Sequence, residues 1–73
     1  LKGGNAMKLN IVKFKIILAR KQMNPKDLAM VSGMSYNSIN SWIKSTGRRN
    51  PSLKTLGRLA EALEVDVTEL IEN

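Results

Sequence analysis

Along most of the chain, apolar residues recur at helical rather than strand spacing. From Leu9 to Met23, the positions Phe14, Ile17, Leu18 and Lys21 follow the three-and-four step of one helix face. Lys13, Lys15, Arg20 and Gln22 fall elsewhere, and Ile11, Val12 and Ile16 widen the apolar stripe beyond what one core contact needs. The run Ile-Val-Lys-Phe-Lys-Ile-Ile also has strand propensity. No turn and no partner strand follow it, so the expectation is a helix. Asn24-Pro25-Lys26-Asp27 reads as a second helix start: Asn24 caps, Pro25 suits the first helical position, and Asp27 reaches back as in a capping box. Leu28, Ala29 and Val31 continue it, and Gly33 ends it because glycine adopts the left-handed conformation cheaply. Ser35 then caps a third helix, from Tyr36 to Lys44 or Ser45. Two short helices joined by a three-residue turn containing Gly make the helix-turn-helix pattern.

Gly47 and Pro51 punctuate a loop from Ser45 to Pro51. A fourth helix follows from about Ser52 to Leu63, with Leu53, Leu56, Leu59, Ala60 and Leu63 on its apolar face. Asp66 is placed to cap a last short helix, with Glu69 at the capping-box position and Val67, Leu70 and Ile71 facing inward. Met23, Met30 and Met34 are expected to fill space around the turn. The fold class is therefore all-α: a compact bundle of about five short helices around a central helix-turn-helix, with no strand.

Length and composition narrow the function. A chain of 73 residues holds one small core, and a hydrophobic fraction of 42% makes that core attainable. The opening Leu-Lys-Gly-Gly-Asn-Ala is expected to be an artificial remnant ahead of a natural start at Met7, leaving residues 7–73 as a single domain. The sequence holds no Cys and no His. A disulfide scaffold and a Cys/His zinc site are excluded, and the commonest general base is missing. No apolar run approaches the roughly 20 residues of a membrane span, and no signal-peptide pattern is present, so a cytoplasmic location is expected.

The net charge of +6 points to a polyanionic partner, and its distribution sharpens that reading. All twelve basic residues lie at or before Arg58 with one acid, Asp27, among them, a net +11. The last fifteen residues carry five acids and no base. One basic face and an acidic tail turned away from the polyanion are expected.

The third helix carries the most informative chemistry. On an ideal helix Tyr36, Asn37, Asn40, Ser41 and Lys44 share an arc of about 140°, while Ile39, Trp42 and Ile43 form the opposite, apolar stripe. The polar arc offers two amides, a hydroxyl, a phenol and a terminal ammonium, with no acid. Asn pairs with adenine N6 and N7 in the major groove. Ser and Tyr hydroxyls reach base edges or phosphates. Asn and Ser are poor helix formers, so their density gives up propensity that an ordinary surface helix would keep with Glu and Lys. Trp42 shares the stripe of Ile39 and Ile43 and is assigned to the core rather than to base stacking.

The stretch from Phe14 to Leu70 resembles the lambda-repressor-like helix-turn-helix family of the Cro or XRE type. The matching residues are Leu28-Ala29, Gly33-Met34-Ser35, Ile39 and Trp42, then Arg49-Asn50-Pro51-Ser52-Leu53, Leu56, Leu59-Ala60, Leu63, Val65 and Leu70. The resemblance implies double-stranded DNA as partner, with the third helix in the major groove. It implies base-edge roles for Tyr36, Asn37, Asn40 and Ser41, and phosphate roles for Lys26, Lys44, Arg48 and Arg49. It also implies a phage or mobile-element repressor, an antitoxin component or a small regulator. Two departures stand out. Pro25 occupies a position where the family often has Gln, and the loop at Ser45-Thr46-Gly47 is a residue longer than usual.

A single such module reads few base pairs, so a homodimer, at least on DNA, is expected. The candidate pairing surfaces are the last helix around Leu70 and Ile71, and the surplus apolar residues Ile11, Val12 and Ile16. Another reading keeps the fold but makes the chain a protein-interaction module whose basic face meets an acidic partner. An enzyme is disfavoured, since a Ser or Lys nucleophile needs an activating partner in a water-excluding pocket that no motif supplies. No cofactor, metal or small-molecule ligand is expected. A membrane-surface helix is disfavoured because it would turn its apolar face outward rather than into a core.

Overall fold

The computed structural model describes residues 8–45 and 50–72. Four α-helices follow one another: α1 Ile11–Arg20, α2 Pro25–Ser32, α3 Tyr36–Lys44 and α4 Leu53–Leu63. A single 3-10 turn, Val67–Glu69, stands where a fifth helix was expected. Its backbone closes in i→i+3 steps, with Glu69 N donating to Asp66 O and Leu70 N to Val67 O. The Glu69 carboxylate pairs with Arg20 of α1 at 3.3 Å, and Thr68, two residues on, takes the Asp66 side-chain cap.

Capping chemistry sets the helix starts. Asn10, Asn24, Ser35 and Ser52 all sit in extended backbone, and each accepts from an N–H in the first turn that follows. At α2 the box is reciprocal: Asp27 N donates to Asn24 at 2.8 Å and Asn24 N donates to Asp27 at 3.0 Å. Helix ends share a second device. Gln22, Gly33 and Glu64 each adopt the left-handed conformation, with φ of 57°, 71° and 58°. After α1, Gln22 N donates to Ala19 O and Met23 N to Leu18 O; after α4, Glu64 N donates to Glu61 O and Val65 N to Ala60 O. These are Schellman endings. They explain why α1 stops at Arg20 rather than running to Met23.

The core joins all the elements. Leu9, Phe14, Leu28, Ile39, Leu56, Leu59, Leu63 and Leu70 are almost completely enclosed, and Ile17, Leu18 and Ala60 complete the buried cluster. Among the described residues no buried side-chain polar atom lacks a partner, as a stable interior requires. Three apolar residues depart from expectation. Met30 is 81% exposed and does not pack around the turn, whereas Met23 and Met34 do. It points away from Leu28, two residues earlier and about 200° round the helix. Val31 is 56% exposed, leaving Leu28 as the buried residue of α2. Leu53 is 64% exposed because the first residue of α4 lies about 70° from the centre of the Leu56, Leu59, Ala60 and Leu63 arc.

The two ends of the described chain are stitched together. Leu9 and Ile71 form one antiparallel bridge, the only β pairing among the described residues. Asn10 N donates to Leu70 O at 2.7 Å, Glu72 N to Lys8 O at 2.9 Å, and the Lys13 ammonium to Ile71 O at 3.2 Å. Leu70 is thereby fully buried and Ile71 half-buried against the core. Of the pairing surface expected around Leu70 and Ile71, Leu70 is interior and Ile71 keeps part of its side chain at the surface.

Candidate nucleic-acid interface

Helix α3 is held from below. Ile39 is completely buried, and Trp42 and Ile43 are half-buried against the same core, so Trp42 is a packing residue as its stripe implied. The Gly33 turn and the Ser35 cap fix the angle at which α3 leaves α2. Ser35 Oγ accepts from Asn37 N at 3.1 Å and Ser38 N at 3.4 Å. Arg58 of α4 donates to Ser32 O at 3.3 Å, placing a cation on the last carbonyls of α2 where the helix dipole favours it.

The opposite side of α3 is open and polar. Tyr36, Asn37 and Lys44 are exposed, and Asn40 and Ser41 are half-buried at the flank. Neither Asn is enclosed, and none of the five acids near the C-terminus forms an ion pair with this helix. A nine-residue helix is about 13 Å long, close to the roughly 12 Å width of the B-DNA major groove. Cations mark both of its ends. The Lys26 ammonium stands over the Tyr36 ring, 5.9 Å from its centroid, and so joins the start of α2 to the start of α3. Lys44 lies in the last turn, exposed. The expected phosphate contacts Arg48 and Arg49 lie outside the described residues.

One further residue borders this surface without having stood out in the sequence. Ser38 is exposed and edges a cleft of about 200 Å³ shared with Gly33, Met34, Ser35, Trp42, Thr55 and Arg58. Lys54, which also did not stand out in the sequence, is exposed in the first turn of α4. The signal for Lys54 was electrostatic: a base in a first turn opposes the helix dipole, so its placement gives up stability. Asp27 is the sole acid in the first turn of any of the four α-helices, so the other N-terminal dipoles stay uncompensated by acids. Together these groups make a neutral-to-basic surface that can donate hydrogen bonds to phosphates and exchange them with base edges.

Among the acids near the C-terminus, Asp66 is engaged locally. Asp66 accepts from Thr68 N at 2.9 Å and from the Thr68 hydroxyl at 2.8 Å, and these bonds, the backbone one foremost, hold its carboxyl below the usual carboxylate range. Among the described residues no group of three His, Cys, Asp or Glu converges to hold a metal ion, and no helix is long and apolar enough to cross a membrane.

Comparison with known proteins agrees with this arrangement. A protein from Bacteroides fragilis, described as DNA-binding, has a similar crystal structure with a TM-score of 0.71 at 37% identity, over 92% of this chain and all of that one. The restriction-modification controller protein C.AhdI from Aeromonas hydrophila matches at TM-score 0.71 and 24% identity, over 81% of this chain and 86% of its own. The transcriptional regulator VanUg matches at TM-score 0.72 and 22% identity, over 99% and 92% respectively; these last two share the fold. No curated protein matches. The family model for the Cro/C1-type helix-turn-helix DNA-binding domain matches residues 13–73, from α1 through the 3-10 turn. With the capped α2, the Gly33 turn and the Ile39-anchored α3 in place, the chain belongs to the Cro/C1-type helix-turn-helix DNA-binding family.

Proposed function

We propose that this chain is a sequence-specific double-stranded DNA-binding transcriptional regulator, of the kind used as a phage or mobile-element repressor, acting in the cytoplasm as a homodimer at least when on DNA. The observation that carries the reading is the acid-free polar side of α3, backed by buried Ile39 and bracketed by Lys26 and Lys44. In this reading Tyr36, Asn37, Asn40 and Ser41 meet base edges, with A·T pairs favoured by the Asn amides. Lys26, Lys44, Arg48 and Arg49 grip phosphates and supply affinity through counterion release. Two-fold pairing sets half-sites about 34 Å apart, one turn of duplex.

Selection of bound duplexes from random DNA at physiological salt tests this reading. The expected result is an enriched, two-fold-related motif rich in A·T at the half-site centres. Binding that is salt-sensitive but enriches no sequence would replace it with the protein-interaction module, whose basic face meets anionic surfaces without reading them.

A further inference from the structure

Lys26 and Tyr36 open two successive helices. Lys26 is the second residue of α2 and Tyr36 the first of α3, and the packing of those helices brings the Lys26 ammonium to 5.9 Å from the centre of the Tyr36 ring. The position is a costly one for a base, since a cation in a first turn opposes the helix dipole. No carboxylate among the described residues offsets it. Asp27, the next residue, turns its carboxylate back to Asn24 N at 3.0 Å. The ion pair among the described residues joins Arg20 to Glu69, on other elements. Among the described residues, the Tyr36 ring is the side-chain partner of this ammonium.

The kind of partner matters. A carboxylate would orient the ammonium and also neutralise it, and a phosphate would then have to displace the carboxylate. A ring face attracts the cation through its quadrupole and carries no net charge. The charge of Lys26 therefore stays on offer to an anion, while its flexible four-carbon stem is held to a narrower range of positions. Tyr36 has room for this second task. The ammonium stands over the ring, whereas the phenol hydroxyl lies in the ring plane and keeps the base-edge role given to it above. The turn between α2 and α3 has its own supports in the Gly33 ending and the Ser35 cap, and an exposed cation–ring contact adds little to them.

We propose that Tyr36 is a positioning residue for Lys26: its ring holds the ammonium, without neutralising it, where the start of α2 meets a DNA phosphate. The proposal rests on the DNA reading above and adds to Tyr36 a task that carries no sequence information. One side chain then serves twice, the ring for affinity and the hydroxyl for base reading.

A double-mutant cycle of the whole chain, on a random-sequence duplex of about 20 base pairs or two helical turns at low salt, tests the proposal. A random duplex removes base reading from the comparison. Tyr36→Leu takes away the ring and should weaken binding about two- to fivefold, the worth of an exposed cation–ring contact. Tyr36→Phe restores the ring without the hydroxyl and should recover that factor. Lys26→Met should weaken binding and lower the slope of log K against log salt by about 0.9. In the Lys26→Met background, Tyr36→Leu should cost nothing further. In the free chain, the ring should move the Lys26 side-chain proton resonances upfield, and that shift should vanish in Tyr36→Leu and persist in Tyr36→Phe. Both positions are exposed, and circular dichroism should show each variant folded. Equal losses from Tyr36→Leu with and without Lys26, a Tyr36→Phe variant as weak as Tyr36→Leu, or Lys26 resonances indifferent to the ring would each overturn the proposal and leave the DNA reading standing. A wild-type chain that shifts no duplex even at low salt would overturn the DNA reading and, with it, the phosphate role given to Lys26.

Discussion

The three left-handed helix ends make opposite predictions for one kind of substitution. At Gly33, φ is 71°, and a Cβ built there would meet nothing nearer than an Arg58 guanidinium nitrogen at 3.7 Å, an ordinary contact. Gly33→Ala is thus sterically allowed, and its cost is the backbone alone. An L-residue in the left-handed region loses about 1–2 kcal/mol. Removing glycine from the unfolded chain returns about 0.4–1 kcal/mol. The net loss is about 0.8 kcal/mol, or a fall in Tm of about 3–6 °C for a domain of this size. Gly33→Asn should cost less, since Asn tolerates this conformation. Gln22 and Glu64 already bear the strain, at φ of 57° and 58°. Gln22→Gly and Glu64→Gly should therefore raise Tm by a similar amount. Thermal unfolding followed by circular dichroism reads all four variants in one series. Should Gly33→Ala prove neutral while Glu64→Gly lowers Tm, the assigned helix endings, and with them the angle at which α3 is presented, would be wrong.

Other outcomes follow from the same geometry. Asn24→Ala removes one half of the reciprocal cap at α2 and should cost about 1 kcal/mol, measured as a shift in the urea midpoint at constant m-value; an unchanged midpoint would deny the cap. Lys44→Ala should weaken binding to every duplex alike and reduce the slope of log K against log salt by about 0.9, and a change confined to one sequence would assign Lys44 to base reading instead. Asp66, held below the usual carboxylate range by Thr68, contributes stability above its unfolded pKa and loses it as pH falls through its lower folded value. Asp66→Asn should therefore remove part of the acid-limb pH dependence, and a carboxyl NMR titration of Asp66 with an unshifted midpoint would contradict this.

Local chemistry made much of the fold legible. Asn24, Pro25, Asp27, Gly33 and Ser35 each state a backbone requirement in their own side chain or its absence, and α2, the turn and α3 fall where those residues place them. The end of α1 was less legible because Gln22 does the work of glycine under tertiary packing, against its own preference, whereas α4 ends at Leu63 as expected although Glu64 does the same. The last segment was misjudged for a related reason. Asp66 and Glu69 match a capping box by spacing, but Glu69 lies beside Arg20, forty-nine residues away in sequence, and this long-range ion pair takes its carboxylate. Within the candidate interface, the two sides of α3 follow directly from helical period. The proximity of Lys26 to Tyr36 and the placement of Lys54 depend on how helices pack, and periodicity carries no such information.

The account turns on α3 reading base edges through Asn37 and Asn40. The direct measurement is the affinity of the wild type and the Asn37→Ala/Asn40→Ala variant for a selected duplex and for a random one, at the same salt. Two lost contacts at the lower bound of about 1 kcal/mol each predict a fall of about 30-fold or more in the ratio of specific to random affinity. Random-duplex binding and Tm should stay close to wild type, since neither Asn is buried and neither bears a charge. An unchanged ratio would contradict the placement of α3 in the major groove.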